Sequence, residues 1–424
     1  MPDLRKTARD LFAAAVARAN PAAALAESLQ QHPPLSPHHN GRLILIALGK
    51  AAVPMMRKAI EILPNPDIAV AVTNPENHAD VTGAEVLAGA HPVPNSMSVA
   101  AGVALRTAVS GLNPNDSVVA LISGGGSALA VAPATGLTLA DKTMVTDLLL
   151  AAGIDITQMN LVRQQLSDLK GGGLLRCARP AQVTSYILSD VIGDDLRAIA
   201  SGPTVAPLGS RKMAHDCLVS HGLWGQLPTA VREHLSTPES SSNVSADTSA
   251  TRAHLIGSNR HSLLAMQEKA SSSGWSAHIV DDALTGDVEA AAERIVSATL
   301  AHDFRDRTAL IFGGETTVQL TGSGLGGRNQ ELALHVARLG RKSLRGRWTF
   351  LTGGTDGRDG PTDAAGGIVD GNTWQRIYDK GANPEDLLSN NDSNTALSMA
   401  GDLLKTGGTG TNVADVQVML LPER

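Results

Sequence analysis

Short, uninterrupted apolar runs recur along this chain, and they constrain its fold more than any other feature. The first run, Leu43–Leu48, is too short for a typical helix and is ended by Gly49. Uniformly apolar runs of this length suit strands of a parallel sheet that is buried on both faces. Similar runs occupy residues 68–72, 118–122, 183–188, 254–257, 277–280, 309–312 and 349–352. Because helical patterns follow several of them, the sequence predicts an α/β fold with parallel sheets, whose ligands bind at the carboxyl ends of the strands.

The length of the chain, 424 residues, exceeds the usual size of one hydrophobic core and predicts two domains. A serine-rich segment near residue 240 has the composition of a linker or a surface loop. We therefore expect an N-terminal α/β domain over residues 1–235, a linker over 236–251 and a smaller C-terminal α/β domain over 252–424. A long loop within a single domain is the alternative. At the start of the chain, residues 4–31 predict amphipathic helices divided near Asn20-Pro21.

The composition argues against two classes of partner. A net charge of −6 without a run of Lys or Arg argues against nucleic acid, as does a content of only four Phe, four Trp and two Tyr. No apolar run approaches the roughly 18 residues of a membrane span. Cys177 and Cys217 form no CxxC motif, and the N-terminus is a poor signal peptide, so we expect a cytoplasmic protein. Monomer and homo-oligomer both remain open.

The glycine-rich segment that ends at Arg328 is the first candidate for chemistry. The apolar run 309–312 leads into Gly313-Gly314 and Glu315, and four of the six residues from Gly322 to Gly327 are glycine. Arg328 then opens a helical pattern. A helix N-terminus attracts anions, and an arginine adds a fixed positive charge there. The segment therefore predicts an anion site, with an ordinary glycine-rich loop as the alternative.

Two other strand ends carry groups that suit anions. Lys50 follows the run 43–48 and begins a helical pattern, although the leading glycine of a P-loop is missing. The sequence Ser123-Gly124-Gly125-Gly126-Ser127 follows the run 118–122, and such glycines can cradle a phosphate or carboxylate with backbone N–H groups. The alternatives are a solvated lysine and a simple tight turn. The spacing does not match G-x-S-x-G, so we do not predict a serine nucleophile.

A polar face follows these loops in the sequence. Asn160, Arg163, Ser167 and Lys170 are spaced so that on a helix they cover roughly a quarter of its circumference. Lys170 is followed by three glycines, Gly171 to Gly173, which place it beside an open backbone. This face predicts a binding surface, and a solvated face is the equal alternative.

Acids follow two other strands. Asp190 comes just after the run 183–188 and could hold Mg²⁺ or accept a proton, whereas Asp194 and Asp195 suit helix caps. Asp356, Asp359 and Asp363 fall within eight glycine-rich residues and resemble a cation loop, but without EF-hand spacing. A turn-rich loop is the alternative. Basic groups, glycine cradles and carboxylates at several strand ends together favour phosphoryl transfer, in which a protein mainly positions and neutralises charge.

Motifs along most of the chain resemble those of the class II glycerate kinases. They are Gly49-Lys50-Ala51, His91-Pro-Val-Pro94, Ser123 to Ala128, Arg163 to Gly172, Leu188 to Val191, Ala200 to Thr204, Gly313 to Thr316, Gly326 to Glu331 and Gly354 to Ala364. The resemblance implies a Rossmann-like N-terminal domain and an active site in a cleft between the two domains. It further implies ATP-dependent, Mg²⁺-requiring phosphorylation of D-glycerate, generally to 2-phosphoglycerate.

The resemblance also implies roles for individual residues. Lys50, Asp190 and Arg328 would be catalytic: the two basic groups would neutralise charge on the transferred γ-phosphoryl, and Asp190 would accept a proton or hold Mg²⁺. Asp356 is the second candidate metal ligand. The candidate substrate- or nucleotide-binding residues are Ser123, Gly124, Gly125, Gly126, Ser127, Asn160, Arg163, Lys170, Glu315 and Asn329. The loop 322–327 is then expected to be a mobile carrier that brings Arg328 to the phosphoryl group.

An oxidoreductase is the alternative function. Residues Gly322 to Gly327 formally satisfy the dinucleotide fingerprint G-x-G-x-x-G, but no acid for a ribose lies between Glu331 and Asp356. Four basic residues between 341 and 347 would suit NADP instead, which gives an NAD(P)H-dependent hydroxypyruvate reductase. A non-catalytic protein that binds sugar acids is a third possibility, but it leaves Lys50, Asp190 and Arg328 without a role.

Overall fold

The computed structural model describes residues 3–238, 251–302 and 306–423. The chain divides into two compact units. The N-terminal unit comprises Pro21–Ser189 and Asp194–Ile256, and the C-terminal unit comprises Met1–Asn20, Asp190–Gly193 and Gly257–Arg424. Among the described residues, no helix is long and apolar enough to cross a membrane.

The units differ from the domain bounds expected from sequence. The first helix, α1 (Leu4–Arg18), belongs to the C-terminal unit, because its apolar side chains, Phe12 among them, are buried in the same core as Leu351 and Val418. Sequence distance conceals this packing, since the partners lie more than 300 positions apart. Most of the expected linker, residues 239–250, lies outside the described residues.

The N-terminal unit is built on a six-stranded sheet with the order β3-β2-β1-β4-β5-β6. Its strands are β1 Leu43–Leu48, β2 Ile68–Thr73, β3 Glu85–Ala88, β4 Ser117–Ile122, β5 Gln182–Leu188 and β6 Thr251–Gly257. The pairs from β3 across to β5 are all parallel. This is the strand order of the doubly wound, Rossmann-like fold, so the expected fold class of this unit is confirmed.

In the described part of the N-terminal unit, nine α-helices connect or cover these strands. They are α2 Pro21–Gln31, α3 Ala52–Ile62, α4 Ser96–Ala108, α5 Gly126–Leu129, α6 Leu139–Ala151, α7 Ile156–Gln165, α8 Gly173–Ala178, α9 Arg211–Ser220 and α10 Thr229–Ser236. Short 3₁₀ turns occupy Pro75–Asn77, Ile199–Ser201 and Trp224–Gln226. The expected break between α1 and α2 near Asn20-Pro21 is confirmed.

The C-terminal unit contains a second six-stranded sheet, with the order β13-β12-β11-β14-β9-β7. Its strands are β7 Ser276–Asp281, β9 Thr308–Gly314, β11 Thr349–Gly354, β12 Gly366–Asp370, β13 Leu403–Leu404 and β14 Asp415–Leu421. A separate pair joins β8 (Gly286–Asp287) to β10 (Thr316–Thr317). Besides α1, the helices described in this unit are α11 Asn259–Ser272, α12 Val288–Ala301, α13 Arg328–Ser343, α14 Thr373–Asp379, α15 Pro384–Ser389 and α16 Ser393–Ala400.

The expectation of a parallel sheet is wrong for this second sheet. Only β7 pairs with β9 in parallel, whereas β14 runs antiparallel to both β9 and β11, and β11, β12 and β13 are paired antiparallel as well. A strand buried on both faces is uniformly apolar whatever the direction of its neighbours, so the apolar runs predicted the strands but not their pairing. The strand β14, which lies between β9 and β11, was not predicted at all.

Candidate functional site

In the N-terminal unit, the turn after β1 lies directly beside the turn after β4. Leu48 is paired in register with Ile122, so both strands end at the same level. The Lys50 amide donates to the Gly124 carbonyl over 2.9 Å, and the Ala51 amide donates to the Ser123 hydroxyl over 3.1 Å. The order of the sheet reverses between β1 and β4, and such a switch point is where doubly wound sheets bind ligands. The structure thus brings together two of the sequence motifs, at this edge of the sheet.

The Lys50 side chain lies against the glycine loop. A Cβ atom added to Gly125 would be 3.2 Å from Lys50 Cγ and 3.3 Å from Lys50 Cε. Gly125 has φ +82° and precedes the short helix α5. Among the described residues, neither Gly125 nor Gly126 donates its backbone N–H to a protein acceptor. A flexible ammonium beside two such donors is suited to an anionic group.

His91, which lies beside this loop, and Glu76, which interacts electrostatically with His91, received no chemical role from the sequence. The same Gly125 Cβ would lie 3.5 Å from His91 Cδ2. Partial burial lowers the pKa of His91, the charge of Lys50 lowers it further, and Glu76 opposes the change. The pKa of Glu76 is lowered, mainly by a backbone hydrogen bond and by Asn74, with smaller effects of His91 and Lys50. In the sequence, His91 was noted only as part of the His91-Pro-Val-Pro94 motif, which carried no chemical role.

The predicted polar helix face is only partly correct. The helix α7 carries Asn160 and Arg163 but ends at Gln165, so Ser167 and Lys170 do not lie on it. Ser167 serves the backbone, donating to the Ala132 carbonyl and accepting from the Lys170 amide. The polar residues keep a helical spacing as far as Lys170, and no residue in the sequence marks the end of α7 at Gln165. The predicted face was therefore longer than the helix.

Lys170 is a buried cation directly beneath the glycine loop. It is only 3% exposed, and its Nζ atom donates to the Ser127 carbonyl over 2.6 Å. Burial, with smaller contributions from Lys142 and Arg163, holds the pKa of Lys170 well below its usual range. Burial also lowers the pKa of Arg163. Lys170 therefore supports the loop from inside the protein, and it is not open to a ligand on the surface as the sequence led us to expect.

Lys142 is a second buried lysine whose charge acts on Lys170, and the sequence did not predict a role for it. It is 9% exposed and donates to the Leu166 carbonyl over 2.9 Å. Burial and the charge of Arg163 lower the pKa of Lys142 to about 7, with Asp168 opposing. The backbone at Leu166, four residues before Lys170, is therefore held by a second buried amine.

In the C-terminal unit, Arg328 is held by two acids. Its Nε atom lies 2.6 Å from Asp415 Oδ2, its Nη2 atom 3.0 Å from Asp415 Oδ1, and its Nη1 atom 2.7 Å from Glu315 Oε1. Asp415 is buried, with 1% side-chain exposure, whereas Arg328 is about one-third exposed. Burial opposes the charge of Arg328, but Asp415 and Glu315 raise its pKa overall. The sequence missed Asp415 because it opens β14, the strand that was not predicted.

Asp190 and Asp356 lie within electrostatic reach of this pair. Burial raises the pKa of Glu315; the negative charges of Asp415, Asp190 and Asp356 raise it further, and Arg328 opposes them. We call Asp190, Glu315, Asp356 and Asp415 the acidic cluster. Arg328 forms ion pairs with two of its carboxylates, Glu315 and Asp415. In the described part of the chain, no group of three or more His, Cys, Asp or Glu side chains is placed to hold a metal ion by itself.

The predicted anion site at the start of α13 is already filled by the protein. The Asp359 carboxylate accepts from the Asn329 amide over 3.0 Å and from the Gln330 amide over 2.8 Å. Burial raises the pKa of Asp359, although these two hydrogen bonds oppose the rise. The helix dipole therefore stabilises an internal carboxylate, and the expectation of an external anion there is corrected.

Asn329 and the proposed cation loop are corrected as well. Asn329 is 1% exposed, and its Oδ1 atom accepts from the Thr352 hydroxyl, so its amide is part of the core and does not face a ligand. Asp359 is the helix cap described above, and Asp363 forms an ion pair with Lys405 at 2.9 Å. Asp356 is the one acid of that loop that remains a candidate metal ligand, and its Oδ1 atom accepts from the Arg358 amide.

The glycines before Arg328 are required by close packing. A Cβ atom on Gly324 would lie 2.4 Å from Asp392 Cβ, and one on Gly326 would lie 2.1 Å from Ser393 Oγ. The Asn391 side chain accepts from the Thr321 and Gly322 amides over 2.8 and 2.9 Å. The space that a dinucleotide pyrophosphate would need is therefore occupied by residues 390–393. These contacts also oppose the expected role of the loop as a mobile carrier.

Two sequence families match the chain. One, described as a domain of unknown function (DUF4147), matches residues 7–236, and the MOFRL family matches residues 308–415. The D-glycerate 2-kinase of Thermotoga maritima is 38% identical over 389 residues, covering 90% of this chain and 91% of its own length. A relative from Agrobacterium vitis, provisionally named a hydroxypyruvate reductase, is 39% identical over 427 residues, covering 98% of this chain and 94% of its own.

A solved structure agrees with these matches. The crystal structure of a glycerate kinase from Thermotoga maritima superposes with a TM-score of 0.89 at 35% sequence identity, and 99% of each chain is covered. Identity at this level over nearly the whole length indicates common descent and a common fold. The chain therefore belongs to the glycerate kinase family that combines the DUF4147 and MOFRL domains.

Proposed function

We propose that the protein transfers the γ-phosphoryl group of ATP to the 2-hydroxyl of D-glycerate. The observation that carries this proposal is the position of Lys50 against the Ser123–Ser127 loop, at the switch point of the doubly wound sheet. Both substrates are anions, and this is where the fold offers a cation together with backbone donors. The relatives named as glycerate kinases supply the substrate class.

In this proposal, Lys50 and the amides of Gly125 and Gly126 bind the carboxylate of glycerate or a phosphate of ATP. The glycines allow the backbone to approach the anion closely. The flexible side chain of Lys50 allows its ammonium group to contact the same anion. Lys170 and Ser127 keep the loop in place from below, through the hydrogen bond between Lys170 Nζ and the Ser127 carbonyl. Asn160 and Arg163 remain candidate substrate contacts.

Arg328 stabilises the charge that develops on the transferred phosphoryl group. A guanidinium that is oriented beforehand costs no reorganisation during the reaction, and Asp415 supplies that orientation through two hydrogen bonds. In the free enzyme, Nη1 of Arg328 contacts Glu315. When the phosphoryl group is bound, Nη1 exchanges this contact for phosphate oxygens. Asp190 accepts the proton of the attacking hydroxyl or holds the metal ion.

The acidic cluster fits a divalent cation. Burial is the main cause of the raised pKa of Glu315, and the negative charges of Asp415, Asp190 and Asp356 raise it further, so an added cation relieves part of that repulsion. Asp190 and Asp356 would hold Mg²⁺, because Mg²⁺ is usually bound by one or two carboxylates together with substrate phosphates. When bound, Mg²⁺ would neutralise charge on the phosphate oxygens.

Hydroxypyruvate reduction has weaker support. Its sequence argument depended on Gly322 to Gly327 as a dinucleotide loop, but these glycines pack against residues 390–393 and Asp359. The amides that open α13 donate to Asp359 and are not available to a pyrophosphate. The name of the relative from Agrobacterium vitis is the remaining argument for a reductase.

One experiment separates the two activities. Purified protein is incubated with Mg-ATP and D-glycerate, and ADP is followed; parallel reactions contain NADH or NADPH with hydroxypyruvate. We expect ADP formation that requires D-glycerate, and no oxidation of either nicotinamide cofactor. Cofactor oxidation without glycerate-dependent ADP formation would refute the proposal.

A further inference from the structure

The residue before Asp415 has an uncommon backbone conformation. Ala414 is buried and has φ +64°, in the left-handed region that glycine adopts most readily. In an alanine this conformation costs free energy, so it persists only where the surrounding structure holds it in place. Asp415 begins β14, and its carboxylate holds Arg328. The uncommon conformation therefore lies directly before the group that orients the guanidinium.

Thr355, which follows β11, holds this part of the backbone. Its hydroxyl donates to the Ala414 carbonyl over 2.6 Å and accepts from the Val413 amide over 2.9 Å. Its own amide donates to the same Ala414 carbonyl over 3.1 Å. Thr355 is 0% exposed, so water does not compete for these hydrogen bonds. Together they fix the backbone from the Val413 amide to the Ala414 carbonyl.

Asn259, the first residue of α11, holds the same segment through its side chain. Its Nδ2 atom donates to the Val413 carbonyl over 2.9 Å and to the Asp415 carbonyl over 2.8 Å. Its Oδ1 atom is buried and has no hydrogen-bond partner among the described residues. A buried acceptor without a partner costs free energy, so the contribution of this amide lies in the hydrogen bonds that it donates. A Cβ atom on Gly313 would lie 2.2 Å from Asn259 Oδ1, so the glycine provides the space that Asn259 needs.

The neighbouring strands leave room for the Asp415 carboxylate. Asp415 pairs in register with Gly314 of β9 and with Gly354 of β11. Side chains of residues paired in register lie on the same face of a sheet, and here both neighbours are glycine. A Cβ atom on Gly354 would lie 3.5 Å from Asp415 Oδ1. No side chain of a paired residue therefore competes with the carboxylate for this space.

We propose that Asn259 and Thr355 are positioning residues for phosphoryl transfer, because they hold Ala414 in the conformation that directs the Asp415 carboxylate at Arg328. Neither residue contacts a substrate in this scheme. Without either of them, Ala414 relaxes toward the negative φ that alanine prefers, and the carboxylate no longer fixes the guanidinium. The inference rests on the proposed function of Arg328.

The Nε–H group of Arg328 reports its orientation without any catalysis. Its proton–nitrogen NMR signal is assigned by its loss in Arg328→Lys, and the exchange of its proton with water is measured. We expect Thr355→Val and Asn259→Ala to speed this exchange about tenfold, because the hydrogen bond to Asp415 opens more often. Thr355→Ser keeps the hydroxyl and should exchange at the wild-type rate. Wild-type exchange in both Thr355→Val and Asn259→Ala would overturn the proposal.

Kinetics tests whether the effect on catalysis passes through Arg328. With D-glycerate and Mg-ATP, Thr355→Val should lower kcat about tenfold with little change in KM, and Thr355→Ser should retain most of the wild-type kcat. In an Arg328→Ala background, Thr355→Val should have no further effect, because the group that it positions is absent. An equal fall of kcat in both backgrounds would overturn the proposal. If the wild type forms no ADP from D-glycerate, the proposed function fails, and the exchange measurement alone decides the positioning role.

Thr373→Val is the matched control in the same unit. Thr373 is also 0% exposed, and its hydroxyl accepts from the Asp370 amide and donates to Asp402 Oδ2. Asp370 pairs with Thr349, at the other end of β11 from Gly354. We expect Thr373→Val to unfold at a lower urea concentration than the wild type, with kcat and the Arg328 exchange rate unchanged. Faster exchange of Arg328 in this variant would show that any loss of stability disturbs the guanidinium, which would overturn a specific role of Thr355.

Discussion

Arg328 and Asp415 form a two-point ion pair, with Nε 2.6 Å from Oδ2 and Nη2 3.0 Å from Oδ1. The carboxylate is 1% exposed, so its position is fixed by the start of β14. The plane of the guanidinium is fixed in turn, and Nη1 remains directed at Glu315, whose side chain is about half exposed. The residue expected to act on the phosphoryl group is thus oriented by a buried partner that contacts no substrate in the proposed mechanism.

Asp415→Asn should lower kcat more than it raises KM. The amide keeps one acceptor, but its NH₂ group faces the guanidinium, so Arg328 loses its fixed orientation. We expect kcat to fall roughly tenfold to a hundredfold, as for the loss of one aligned charge contact in an active site. Steady-state kinetics with D-glycerate and Mg-ATP provides both constants. Glu315→Gln is the control, because it removes the single contact at Nη1, and we expect a smaller fall. Equal effects of the two substitutions would contradict a special role of Asp415.

Asp359→Ala should destabilise the C-terminal unit. The carboxylate caps two amides at the start of α13, and loss of such a cap costs about 1–2 kcal/mol of unfolding free energy. Urea unfolding measures the change. Asp363→Ala is the matched control from the same loop, because Asp363 is exposed and forms a surface ion pair with Lys405, so we expect the free energy of unfolding to stay the same. A stable Asp359→Ala protein would show that the helix needs no internal anion.

Gly324→Ala tests whether the glycine loop is a packed structure. The added methyl group would lie 2.4 Å from Asp392 Cβ and 2.6 Å from the Asn390 carbonyl oxygen. Overpacking of this kind typically costs about 1–3 kcal/mol. Gly408→Ala is the control, because a Cβ atom there meets no atom within 4 Å and the position has no positive φ. If both variants unfold at the same urea concentration as the wild type, the loop is open, and the dinucleotide interpretation regains its basis.

Lys142→Met should change how stability depends on pH. The pKa of Lys142 is about 7 in the folded protein and 10.5 in a model peptide. Between these values the unfolded chain binds a proton that the folded chain has released. The free energy of unfolding therefore rises with pH across this window, and the penalty for the buried charge is complete below pH 7.

The difference in the free energy of unfolding between wild type and Lys142→Met should therefore change with pH between those two pKa values. We expect the wild-type slope to exceed that of the variant by up to about 1.4 kcal/mol per pH unit. The charge of Lys142 also lowers the pKa of Lys170, so the difference between the two proteins includes the loss of this coupling. Lys212→Met, which removes a surface lysine, should leave the slope unchanged. Parallel curves for wild type and Lys142→Met between pH 7 and 10 would show that Lys142 is charged in the folded state.

The sequence predicted those parts of the fold that depend on local composition. The strand Leu43–Leu48 was predicted with its observed bounds, because a buried strand must be apolar throughout. The strand Asp415–Leu421 escaped notice, since Asp415 and Gln417 interrupt its apolar pattern. Strand direction in the second sheet depends on pairing across the chain and leaves no local signature.

The candidate site was predictable to a similar extent. Lys50 and Ser123 follow strands that proved to be neighbours, so the contact between the turns that contain them follows from the topology of a doubly wound sheet. The partner of Arg328 lies 87 positions away, and the anion at the start of α13 comes from Asp359, 30 positions from Asn329. Such partners are fixed by tertiary packing, and a motif that names one residue does not identify the other.

The most direct test is the identity of the product formed from Mg-ATP and D-glycerate. Phosphorus and carbon NMR of the reaction mixture should show 2-phosphoglycerate, with ADP in equal amount. Arg328→Ala should give the same product with kcat lowered about a hundredfold or more. No phosphorylated glycerate from the wild-type protein, or an unchanged kcat in a folded Arg328→Ala protein, would contradict the account.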